Sequence, residues 1–338
     1  MKQITFQDIE AAQKTIAGIA IETPFIPSPY LQARFGAEML LKLEMTQPVG
    51  AFKLRGAANA LLNLPDDVRG VTCCSTGNHG RGVAYAAARA GIRAVICMSS
   101  LVPKIKVEGI RALGAEVRIS GNSQDDAQAE ADRLVAEEGL TDISPFHDPF
   151  VIAGQGTIAV EMLTARPDLE TLLVPLSGGG LAGGIALAAK TMKPSIRVIG
   201  ITMERGAAMY QSIRAGHPVE VEEVPSLADS LGGGILPDNF LTLDLCSRLL
   251  DDTLLVSETQ IYHAMQTLYY EDRLVAEGAS CVGIAALQSG QITDLGGPVG
   301  LVISGRNVDT GMFTKIVNGD DVVLGESRIK GRRYEPHA

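Results

Sequence analysis

The sequence has no tryptophan, few aromatic residues of any kind, and five cysteines in 338 residues. Cys73, Cys74, Cys97, Cys246 and Cys281 are odd in number and contain no Cys-x-x-Cys pair. They fit reduced, buried thiols of a cytosolic protein rather than a disulfide framework. No uninterrupted apolar run reaches about 18 residues, so no membrane-spanning helix is expected. Met1–Glu10 has no basic region followed by an apolar one, so no secretory signal is expected. Basic residues are in deficit, 29 Lys and Arg against 39 Asp and Glu, for a formal net charge of −10. That balance argues against nucleic acid or an anionic membrane as partner and leaves room for a small anion in a local pocket. Low-complexity stretches, linkers and internal repeats are absent as well.

What is present is an α/β pattern. Apolar strands at Met39–Leu43, Val71–Ser75, Ala94–Met98, Glu116–Ile119, Thr171–Leu176, Val198–Met203, Leu254–Val256 and Val299–Ile303 alternate with helical stretches. Those helices are expected over 82–90, 104–113, 125–138, 158–165, 181–192, 259–271 and 282–288. Continuously apolar strands separated by helices predict parallel sheets covered on both faces. A chain of this length has room for two domains.

Ligands of such sheets bind in the loops that follow the strands. Ser75-Thr76-Gly77-Asn78-His79-Gly80 offers hydroxyls, an amide, an imidazole and backbone N–H groups at a helix start, a set suited to a carboxylate. A glycine-softened turn with a capping serine explains the same residues. His79 has no second histidine or acid spaced for a metal. Ser177-Gly178-Gly179-Gly180-Leu181 leads into another helix, and three consecutive glycines there suit close approach of a phosphate to backbone N–H groups. Gly178-x-Gly180-x-x-Gly183, with Glu204 about 20 residues on, also matches a dinucleotide fingerprint, so a nicotinamide oxidoreductase is the competing class. A non-catalytic amino-acid-binding protein is a third class. Ser304, in Ser304-Gly305-Arg306-Asn307, closes the last strand.

Lys53 sits between Phe52 and Leu54 near the start of a helix. Apolar neighbours and the positive helix end both disfavour its ammonium form, which leaves a neutral amine for Schiff-base chemistry. An ordinary solvated lysine is the plain alternative.

Together these stretches carry a resemblance. Lys42–Ala57, Ser75–Gly80, Pro145–Asp148, Ala153–Thr157 and the glycine run, in this order, resemble the fold-type II pyridoxal-phosphate enzymes of the serine/threonine dehydratase group, over roughly residues 5–325. Ser226–Gly234 and Ser304–Asp309 look most like a hydroxyectoine-utilisation dehydratase subgroup. The resemblance implies two α/β domains of the tryptophan-synthase-β kind with the cofactor in the cleft. Residues 1–69 and 151–330 would form the large domain and 70–150 the small one. The chain ends about 30 residues after Ser304, so no regulatory domain like that of the biosynthetic threonine dehydratases is expected.

It also implies roles for residues. Lys53 would bind pyridoxal 5'-phosphate and act as the proton-transfer base. Phe52 would pack by the ring, and Asn78 would meet the ring hydroxyl. Ser177, Gly178, Gly179, Gly180 and Leu181 would cradle the phosphate, and Ser304 would meet the pyridine nitrogen. Ser75, Thr76, Asn78 and His79 would hold the substrate carboxylate. The implied reaction is loss of water and then ammonia from a small 3-hydroxy amino acid, in a cytoplasmic homodimer.

Departures from the family pattern matter too. Ala51 and Ser177 stand where serine and glycine are usual. Thr76 replaces the second catalytic serine of serine racemases but keeps a hydroxyl, so dehydration is favoured over racemisation. Arg306 stands where glycine is common and is either a reader of a substrate group or a solvated, structural arginine. Serine racemases of eukaryotic type hold a divalent ion on a glutamate and an aspartate. The matching positions here are Thr202 and Ala208, so no metal is expected.

Overall fold

Leu172, Leu173, Val174, Val198 and Ile199 are fully or almost fully buried, as expected of strands covered on both faces. The computed structural model describes residues 3–336 apart from Thr76 and Pro103. It divides into one unit of Met1–Glu22 with Gln47–Thr157 and another of Thr23–Thr46 with Ile158–Ala338.

In the first unit four parallel strands lie in the order Glu116–Ile119, Ala94–Met98, Val71–Cys74, Thr141–Asp142. Helices Lys53–Leu62 and Asn78–Ala90 cross beside this sheet at nearly backbone contact. A Cβ added at Gly82 would stand 3.3 Å from Lys53 and Leu54 backbone atoms. Leu54, Ala57, Ala58 and Leu61 share one core with Val83, Ala84 and Ala87. That shared core groups the Lys53 helix with residues 70–150, whereas the expected division set 1–69 apart from them.

The second unit is built on six strands in the order Phe25–Pro27, Met39–Lys42, Val299–Val302, Thr171–Pro175, Arg197–Met203, Asp252–Val256. Only Phe25–Pro27 pairs antiparallel. At the end of the second strand the Lys42 ammonium, 1% exposed, meets the Glu161 carboxylate at 2.5 Å and donates to the Thr23 carbonyl at 2.7 Å. The Thr23 hydroxyl donates in turn to the buried Glu44 carboxylate at 2.6 Å. A buried charge of this kind persists only when paired and hydrogen-bonded.

Two helices differ from expectation. The helix expected from Ile158 begins at Pro149 and runs to Ala165. Gly154, inside this helix, serves packing: a Cβ there would meet the Arg55 carbonyl oxygen at 2.5 Å. The amphipathic helix of residues 125–138 is α-helical over Gln124–Arg133 and widens into a five-residue-spaced turn over Leu134–Glu138, ended by left-handed Gly139.

Candidate active site

In the first unit, Lys53 is the first residue of its helix, and Phe52 precedes it in right-handed helical backbone. The half-buried Lys53 ammonium donates to the Pro145 carbonyl at 2.7 Å and lies 5.5 Å from the Phe52 ring centroid. Asn78 and His79 open the next helix and are both buried. His79 Nε2 donates to the Ile143 carbonyl at 2.6 Å. Burial, and then the Lys53 charge, push the imidazole down to about 3 against the opposing effect of that bond. The ring is therefore neutral at pH 7, with its proton on Nε2 and a lone pair on Nδ1.

Ser75 is half-buried, and its hydroxyl accepts the Gly77 N–H at 3.4 Å. Gly80 is required here, since a Cβ would stand 2.4 Å from the Ser75 carbonyl oxygen. Thr76 lies outside the described residues. His79 Nδ1 and both polar atoms of the Gln155 amide are buried without a partner among the described residues. Gln155 packs on Gly56 of the Lys53 helix. Buried polar atoms left open in this way mark places that a ligand or an ordered water completes.

In the second unit, strand Thr171–Pro175 ends in the glycine run, and helix Gly180–Met192 starts directly after it. Gly179 has φ +86°, a backbone conformation that favours glycine. Ser177 is half-buried and Gly178 through Leu181 are buried. The run is held from behind by residues that sequence reading passed over. The Thr242 hydroxyl donates to the Gly178 carbonyl at 2.7 Å, and Asn239 Nδ2 does so at 3.4 Å. Asn239 before an apolar helix reads locally as a cap and nothing more, and it does cap, accepting the Thr242 N–H.

Ser304 follows strand Val299–Val302 and is 2% exposed. Its hydroxyl lies 3.0 Å from that of Ser280 in helix Gly278–Gln288. Arg306 is exposed. Thr202 and Ala208 are buried, and among the described residues no three His, Cys, Asp or Glu side chains gather as metal ligands. No helix among the described residues is long and apolar enough to cross a membrane.

Residues 16–305 match the model of the pyridoxal-phosphate-dependent enzyme family. The chain belongs to this family. Its similarity to a candidate threonine dehydratase of Sinorhizobium fredii is 52% identity, over 94% of this chain and 97% of that one. With the L-threonine ammonia-lyase of Thermotoga maritima it is 39%, over 93% of this chain and 78% of that one. Maize serine racemase superposes with a TM-score of 0.88 at 33% identity, over 93% of this chain and 97% of that one. The cofactor of this pyridoxal-phosphate enzyme is therefore the one that the motifs implied. Glu204, the acidic residue of the competing dinucleotide reading, is exposed.

Proposed function

We propose that this chain is a pyridoxal-phosphate-dependent dehydratase and ammonia-lyase acting on a small 3-hydroxy amino acid. Threonine or serine is the generic substrate, and a hydroxyectoine-derived hydroxy amino acid is the narrower one. Products would be a 2-oxo acid and ammonia. The observation that carries this reading is the 39% identity with an L-threonine ammonia-lyase over nearly the whole chain. It is joined here to a lysine at a helix start whose amine meets the Pro145 carbonyl.

The residues fit the cofactor by their own chemistry. Left-handed Gly179 and the start of helix Gly180–Met192 present N–H groups suited to a phosphate. The Ser304 hydroxyl, neutral and buried, suits an unprotonated ring nitrogen. Pyridoxal phosphate, when bound, withdraws electrons from the bond to the substrate α-proton. Lys53 would hold the cofactor aldehyde through its amine and then take that α-proton at Nζ. Asn78 would donate to the ring hydroxyl and Phe52 would pack against the ring. Ser75, Thr76 and His79 would hold the substrate carboxylate. His79 would do so through its backbone N–H at the helix start, because its neutral ring already donates Nε2–H to the Ile143 carbonyl and keeps only a lone pair on Nδ1. The exposed Arg306 guanidinium would meet a polar or anionic substrate substituent.

Racemisation is the second reading, favoured by the structural likeness to maize serine racemase. Thr76 keeps the hydroxyl that the opposite face of the substrate would need. A cytoplasmic homodimer completes the proposal, and sedimentation checks the oligomer. The test is a panel of hydroxy amino acids assayed for ammonia release and for change of chirality. Lys53→Ala runs beside the native enzyme and is expected to lose both the visible band of lysine-bound cofactor and turnover, with its circular dichroism intact. Ammonia release by Lys53→Ala at the native rate sinks the assignment.

A further inference from the structure

The Gly178 and Gly179 carbonyls meet a single helix face. Asn239, Thr242 and Cys246 stand at the cap and on successive turns of helix Phe240–Leu249, a spacing that aligns them on one side. Thr242 Oγ1 is 2.7 Å from the Gly178 carbonyl and 2.9 Å from Asn239 Oδ1. One hydroxyl proton serves one of these, and the shorter contact takes it. Asn239 Oδ1 already accepts the Thr242 N–H at 3.2 Å. Cys246 Sγ lies 3.6 Å from the Gly179 carbonyl. Burial pushes that thiol up to about 12, so it remains S–H and can donate. The same face limits space as well as direction. A Cβ at Gly179 would meet the Thr242 Cβ at 2.8 Å and Met209 Cε at 2.7 Å.

A trans peptide is planar, with its C=O and N–H pointing opposite ways. Fixing the Gly178 carbonyl toward Thr242 therefore turns the Gly179 N–H away from that helix. Fixing the Gly179 carbonyl, which also accepts the Gly183 N–H at 2.7 Å, does the same for the Gly180 N–H. These are the first donors of helix Gly180–Met192, with no intrahelical acceptor of their own.

We infer that Thr242, supported by Asn239 and Cys246, is a positioning residue for the cofactor phosphate. It aims the Gly179 and Gly180 N–H groups by holding the carbonyls of the same peptides from behind. The inference rests on the reading of Ser177–Leu181 as the phosphate cradle. It adds three residues to that cradle, each acting on the carbonyl side of the run. It separates an effect on the phosphate from any effect on the ring.

The test uses cofactor-free full-length protein titrated with pyridoxal 5'-phosphate and, separately, with pyridoxal, which lacks the phosphate. Binding is read by absorbance and fluorescence rather than by turnover. Thr242→Val keeps the side-chain shape and removes the donor. It is expected to weaken pyridoxal-phosphate binding about tenfold, the upper end for one lost hydrogen bond, and to leave pyridoxal binding unchanged. Thr242→Ser, which restores the hydroxyl, is expected to recover most of the loss. Cys246→Ala removes the weaker donor on the same face and should give a smaller loss confined to the phosphate form, so the inference stays testable if Thr242→Val does not fold. Equal weakening toward both ligands overturns the inference, as does native affinity in Thr242→Val. A native protein that binds pyridoxal as tightly as its phosphate ester brings down the cradle reading itself, and the clamp with it.

Discussion

The Ser280 hydroxyl joins Ser304 to the backbone of the residue that follows it. It lies 3.0 Å from the Ser304 hydroxyl, donates to the Gly305 carbonyl at 2.8 Å and accepts the Gly305 N–H at 2.8 Å. With the Ser280 proton on the carbonyl, Ser304 is the donor between the two hydroxyls. If Ser304 turns its proton toward a ring nitrogen, Ser280 can rotate its own proton to Ser304. The pair then gives up the bond to the Gly305 carbonyl, keeping the one from the Gly305 N–H, rather than leave the Ser304 oxygen bare.

Ser304→Asp tests what that neutral hydroxyl is for. A carboxylate within about 4–6 Å raises the proton affinity of a pyridine nitrogen and strengthens the ring as an electron sink. The expected outcome is a loss of ammonia release of at least about tenfold, as when one transition-state interaction of roughly 1.4 kcal/mol is removed. Pyridoxamine phosphate from transamination should appear alongside and is measured chromatographically. Full ammonia release with no such product removes Ser304 from the ring nitrogen.

His79 sets an acid limit on the cofactor-free protein. Its ordinary value of 6.5 falls to about 3 in the fold, first through burial and then through the Lys53 charge. Between these values the unfolded chain binds a proton that the folded chain does not. Its contribution to stability is therefore complete above pH 6.5 and is lost as pH falls toward 3, at up to about 1.4 kcal/mol per pH unit. Urea unfolding across that range should show the native protein losing stability more steeply than His79→Gln. Parallel curves would mean that the imidazole is solvated.

Gly179→Ala carries two penalties at once. The left-handed backbone at φ +86° costs a non-glycine residue about 1–3 kcal/mol. The new methyl also has to displace Met209 Cε at 2.7 Å and Thr242 Cβ at 2.8 Å. The variant is expected to unfold at lower urea and to bind pyridoxal phosphate weakly, by the titration described for Thr242. Native stability would show that the run relaxes around a side chain.

Divalent metal is not expected to support turnover. Thr202 and Ala208, which by the resemblance stand where eukaryotic-type serine racemases carry acidic ligands, are both buried, and neither supplies the carboxylate that such an ion takes. Dialysis against a chelator should leave ammonia release unchanged. A several-fold loss restored by magnesium would place an ion elsewhere in the chain.

Lys53 at a helix start, the glycine run after a strand and Ser304 closing the last strand were legible as positions, because residue type and a strand-then-loop context mark them. The parallel sheets were legible from buried apolar runs such as Leu172–Val174. Thr242, Asn239 and Ser280 were not. They are ordinary polar residues at helix caps and in first turns, and each acts through a hydrogen bond to a loop far away in sequence. The start of helix Pro149–Ala165 was hidden too: the expected helix began at Ile158, and Gly154, inside the observed one, leaves room for a backbone that passes too close for a methyl. The grouping of the Lys53 helix with residues 70–150 was hidden as well, because it depends on which helix faces share a core. Composition changes nowhere along that stretch.

Strand Val299–Val302 lies between Met39–Lys42 and Thr171–Pro175, and this order bears on how the protein is made. While the chain is being synthesised, the first and third of these strands are complete long before the one that joins them. Until residue 302 clears the ribosome, each keeps an open edge of unpaired N–H and C=O groups, the kind that recruits other chains. The centre of the sheet is therefore closed by a segment that emerges long after both of its neighbours, and Ser304 reaches its place only after that closure.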